Sequence, residues 1–115
     1  MSRHDQWMAI QAAIESLRAT QHDLQAMDDA EAGNLASAEW NRLAARAIRS
    51  PSPEAEAAAD RAWVATMADM HLRMGTVPRS GSHRAVEIEQ AMDAIRDAEL
   101  RADRPSREVA VPEEA

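Results

Sequence analysis

The sequence predicts an all-α protein: a small four-helix bundle, mostly antiparallel, followed by a disordered acidic C-terminal tail. Three observations carry this. Apolar residues recur at three- and four-residue spacing in four separate stretches, and none alternates with the period of two that a strand requires. Alanine, which loses least on entering a helix, is abundant. The breaks between the stretches carry turn and cap chemistry at Gly33-Asn34, at Ser50-Pro51-Ser52-Pro53 and from Gly75 to Ser82. The 115 residues fit one domain, expected over 1–103, with 104–115 as the flexible tail.

The first helix is expected from about Asp5, as its cap, to Asp28 or beyond. Trp7, Ile10, Ile14, Leu17 and Leu24 step by three, four, three and seven, an a/d pattern in which Gln21 holds the missing place. So narrow a stripe suits a coiled-coil-like seam better than the wide face of a globular helix. Within such a seam a polar Gln21 sets pairing at some cost in stability; at the seam's edge it simply reaches water.

Gly33-Asn34 breaks the chain, and Asn34 is positioned to cap a second helix over about Leu35 to Arg49. Ala36, Trp40, Leu43 and Ala47 share one side of it, widened by Ala44 and Ile48. Ser52 then caps a third helix with Pro53 at its first position, where no amide hydrogen is needed. Glu54 and Glu56 suit the positive helix start, and Gly75 suits the C-terminal end after Met74. Trp63, Met67, Met70 and Met74 fall on one line of this helix, the bulkiest in the chain, and are expected to form the floor of the bundle. Ser80 or Ser82 caps a fourth helix from about His83 to Arg101. Its apolar face is Ala85, Ile88, Ala91, Met92, Ile95 and Ala98, while Glu89, Asp93 and Asp97 line the opposite side, joined there by Val86 and Leu100. Beyond Asp103 the composition turns to Pro, Arg and Glu, the mark of a mobile tail.

Composition restricts function. Leu, Ile and Val are few, and Phe and Tyr are absent, so the core is thin; thin cores often borrow burial from a partner or a second copy. The net charge of −7 argues against direct nucleic-acid binding, which needs a basic face, and against an anionic membrane surface. No run approaches the length of a membrane span, and the polar N-terminus has no signal-peptide core, so a cytoplasmic location is expected. With no cysteine, disulfides, thiolate metal sites and a cysteine nucleophile are excluded.

No constellation of catalytic residues emerges. His4, His22, His71 and His83 form neither a His-x-x-x-His pair nor the Glu-x-x-His pair of di-iron bundles. Asp28-Asp29-Ala30-Glu31 lacks the spacing of a calcium loop. Carboxylates four apart, as in Glu89/Asp93 and Asp93/Asp97, read as solvated faces rather than acid–base pairs. The three glycines are accounted for by turns. No enzyme activity, metal or cofactor is expected.

The function expected is therefore binding: a small acidic cytoplasmic adaptor or regulatory protein with a protein partner, self-associating as a homodimer through the first helix. Trp7 and Gln21 are the partner-binding candidates there, with Val86 and Leu100 on the fourth helix. The alternative is an inhibitor of the mobile-element kind, blocking a nucleic-acid-binding enzyme with the acidic face of Glu89, Asp93 and Asp97. Interspersed Arg96 and Arg101 count against it, because a mimic needs an unbroken negative surface.

Overall fold

The structure is a computed structural model that describes the backbone of residues 2–110 and the side chains of residues 2–102. Among the described residues it is all-α, with four helices in chain order: α1 (Arg3–Glu31), α2 (Leu35–Arg49), α3 (Pro53–Met74) and α4 (His83–Ala110). By packing, the chain divides into two compact units, Met1–Thr66 and Met67–Ala115; the stretch 1–103 spans both.

In the first unit, α1 begins one turn earlier than its apolar pattern implies. Ser2, not Asp5, is the cap: its hydroxyl accepts from the Asp5 amide at 3.1 Å while the Asp5 carboxylate accepts from the Ser2 amide at 3.3 Å. This reciprocal box satisfies two amides that would otherwise lack partners, and the acid also suits the positive helix end. At the other end Gly33, at φ 81°, closes a Schellman turn. The Asn34 amide reaches the Asp29 carbonyl at 2.8 Å and the Gly33 amide reaches Ala30 at 3.1 Å. Asn34 then stands at the start of α2, but its side chain makes no capping bond there. The chain reverses within these few residues, so α2 runs antiparallel to α1: Ser37 meets Asp29 near the turn, and Arg49 pairs with Asp23 farther along.

The face of α1 that meets α2 is not its apolar stripe. The buried residues are Ala19, Ala26 and Asp29, facing Ala38, Asn41 and Ala45 of α2. Each helix thus presents two alanines seven residues apart, and so small a side chain lets the helix axes approach closely. The second face of α2, with Trp40, Leu43 and Ala47 half-buried, is the one anticipated, and it looks toward α3. There the Thr66 hydroxyl donates to the Ala36 carbonyl at 3.1 Å, and the Ser50–Ser52 link brings Ala55 and Ala58 beside Leu43 and Arg46. Ser52 caps α3 as expected, accepting from the Ala55 amide at 3.0 Å.

The second unit holds the end of α3, a loop and α4. Gly75, at φ 65°, ends α3 with a second Schellman turn, in which the Thr76 amide reaches the His71 carbonyl at 3.0 Å. The His71 ring also bonds the Thr76 hydroxyl at 2.8 Å. Of the two candidate caps for α4 it is Ser82 that acts, accepting from the Ala85 amide at 3.0 Å. Ala85, Ile88 and Met92 are buried along the anticipated apolar face of α4, and Val77 and Pro78 of the loop lie beside Met92.

One expectation needs correction. The Trp63–Met74 line is not a uniform floor: Trp63 and Met67 are half-buried, Met70 is exposed, and Met74 is 66% exposed. The fully buried position of α3 is Ala68. The α4 backbone runs to Ala110 and so takes in the first residues of the stretch expected as a tail, while residues 111–115 lie outside those described.

Candidate functional site

A helix that packs through alanine leaves its large side chains elsewhere. On α1 they lie about 150° around the helix from the contact with α2, taking 100° per residue. Trp7 is 64% exposed, Leu17 71% and Ile14, the most covered of the five, still 43%; Ile10 and Leu24 are exposed too. Gln21 is exposed on the same line, between Leu17 and Leu24. Every residue from Ser2 to Arg18 is exposed, so the N-terminal half of α1 carries this stripe without cover from the other described residues. Isolated apolar residues on a surface are ordinary, whereas here five large ones share one line along a single helix, interrupted at Gln21.

On the inner side of α1 the alanine contact is joined by a polar cluster. Asn41 is 2% exposed and Asp29 8%. The Asn41 amide donates to Asp29 Oδ2 at 2.9 Å and to the Ser37 carbonyl at 3.1 Å. With both N–H groups so used, its oxygen is the acceptor toward His22 Nδ1, 2.7 Å away, and that ring nitrogen carries the proton. Ser37 and Gln25 donate to Asp29 at 2.6 and 3.0 Å. The Ser37 hydroxyl, then the Gln25 amide, then that of Asn41 hold the Asp29 carboxyl below its ordinary value, against burial, which pushes it up. The His22 ring meets Trp40 edge to face, centroids 5.5 Å apart. No buried side-chain polar atom among the described residues lacks a partner. The cluster resembles a catalytic relay only in its chain of bonds. Its hydroxyl, Ser37, donates to the Asp29 carboxylate and not to the His22 ring, which bonds Asn41 instead.

Sequence reasoning missed this cluster. The available signal was His22 and Asp29 falling on the line of Ala19 and Ala26, a face of small residues interrupted by groups that must find partners.

On α4 the candidates Val86, Glu89, Asp93, Asp97 and Leu100 share one exposed side. The acids there are not an unbroken surface. Arg96 pairs with Asp93 at 3.3 Å, and the Arg101 guanidinium bonds the Asp97 carbonyl at 3.3 Å. Trp7 and Gln21 thus belong to one face in the first unit, and the five α4 residues to another in the second. Among the described residues no group of three His, Asp or Glu side chains is arranged to hold a metal ion, and no helix is long and apolar enough to cross a membrane. No family model, curated protein or solved structure matches the chain.

Proposed function

We propose that this protein acts by binding rather than catalysis, as a small acidic adaptor or regulator whose contact surface is the outer face of α1, and that it self-associates through that face. The observation that supports this is the exposure of the whole a/d line from Trp7 to Leu24 on the side of α1 turned away from α2. An apolar helix stripe docks onto another helix or into a groove, with its large side chains as anchors. The reading of α4 as an acidic nucleic-acid mimic has weaker support, because Arg96 and Arg101 sit among its acids.

Sedimentation velocity at micromolar concentration tests the self-association. The wild type is expected to run as a dimer and Leu17→Asp as a monomer with unchanged helix content. A wild type that remains monomeric removes self-association. Salt separates the two kinds of surface: contact through α1 persists at high ionic strength, whereas an acidic mimic would lose its partner steeply.

A further inference from the structure

We infer that the outer face of α1 is covered by a second copy of this chain laid antiparallel, with Arg3 of each α1 beside Asp28 of the other. The inference rests on the self-association proposed above and adds its direction.

Arg3 lies four residues before Trp7 and Asp28 four after Leu24, so the alternation of threes and fours runs without interruption from Arg3 to Asp28. The line is therefore tipped by a cation at one end and an anion at the other. Both residues are exposed, and neither has an ion pair among the described residues.

Both are also adverse for α1 itself. Arg3 occupies the first helical position, where backbone amides already make the end positive. Asp28 sits in the last turn, which holds no basic residue and where the carbonyls make the end negative. A second α1 laid antiparallel reverses both effects, bringing the negative end of one helix and its Asp28 to the positive end and Arg3 of the other.

The two directions of pairing differ sharply. In a parallel pair each a/d residue meets its own copy, so Arg3 faces Arg3 and Asp28 faces Asp28. In the antiparallel pair Arg3 meets Asp28, Trp7 meets Leu24, Ile10 meets Gln21, and Ile14 meets Leu17 at the centre. The best apolar layers then lie at the two-fold axis, and Trp7 closes each end. A parallel pair would instead set Gln21 against Gln21, which is favourable in itself. That one contact is outweighed by two like-charge layers. Apart from His4 and Arg18, the positions flanking the stripe are uncharged, so the tips decide direction.

The absence of cysteine makes the test direct. Full-length Ile10→Cys and Gln21→Cys proteins are mixed and oxidised. Antiparallel pairing gives the mixed disulfide between positions 10 and 21, whereas parallel pairing gives disulfides joining each position to itself. Independently, Arg3→Asp or Asp28→Arg alone should raise the dimer Kd about tenfold, and the two together in one chain should restore it. Each single reversal improves α1's match to its own dipole, so weaker dimers cannot be ascribed to a poorer helix. A monomeric wild type overturns the self-association and this inference with it. A dimer cross-linked at 21 to 21, or one indifferent to charge reversal, overturns the antiparallel arrangement and leaves self-association standing.

Discussion

Asn41 reaches from α2 to give an amide N–H to Asp29 of α1 at 2.9 Å, at a place where both side chains are almost wholly closed to solvent. The bond is charge-assisted and the groups around it are all satisfied, so its removal costs more than one ordinary surface hydrogen bond.

Asn41→Leu keeps the approximate volume but leaves the Asp29 carboxylate short of a donor and His22 Nδ1–H without its acceptor. A loss of about 2–4 kcal/mol is expected, read as a lower urea midpoint with an unchanged slope. A loss below about 0.5 kcal/mol would show that water replaces the amide without penalty.

Acid should act through Asp29. Its folded-state pKa is lowered, chiefly by the Ser37 hydroxyl. A carboxyl of this kind contributes stability that is fully present above its unfolded value, about 3.9, and is lost as pH falls through the lower folded value. Asp23, whose carboxyl is lowered first by its hydrogen bond to Arg49, has the same sign. Urea midpoints measured from pH 6 downward should therefore hold until about pH 4 and then fall. Asp29→Asn should start lower at neutral pH and fall less. Parallel curves for the two proteins would remove Asp29 as the source.

The two sides of α1 should respond oppositely to bulk. Ala19 is 0% exposed in the alanine contact, so Ala19→Leu forces the helices apart and costs about 1–3 kcal/mol or more. Leu17→Ala, two residues away on the outer face, should change the stability of the isolated monomer by less than about 0.5 kcal/mol. Thermal melts by circular dichroism, run dilute enough to populate monomer, compare the two. Equal losses would contradict the assignment of inner and outer faces.

Gly33 holds φ 81°, a conformation that costs a side chain even though the space beside it is open. Gly33→Ala should destabilise by about 1 kcal/mol through backbone strain alone, and D-alanine introduced by chemical synthesis should be tolerated. An L-alanine variant as stable as the wild type would mean that the α1–α2 turn relaxes into another form.

The four helices and three of their boundaries were legible because their signals are local. Ser52-Pro53, Gly33 and Gly75 announce boundaries through chemistry that acts within a few residues, and the structure keeps all three. The side of α1 that faces inward was not legible in the same way. Hydrophobic periodicity points to Trp7, Ile10, Ile14 and Leu17, yet α1 meets α2 through Ala19 and Ala26, which carry little hydrophobic signal. Periodicity reports where apolar area lies and says nothing of which partner covers it. Asn41 was hidden for a related reason: a buried amide is recognisable only once Asp29, Ser37 and His22, on two different helices, are seen around it.

The alanine contact has a further consequence. Two faces with alanines at a seven-residue repeat are nearly interchangeable with themselves after a slide of two turns: Ala38 would fit against Ala19 much as against Ala26. Methyl groups alone would leave such a hairpin several settings of similar energy. Asp29, Ser37 and Asn41 remove the alternatives, since any slide strands a carboxylate and an amide away from water with nothing to bond. The polar cluster therefore works as an index mark on a smooth scale, choosing one alignment among many while adding modestly to its depth.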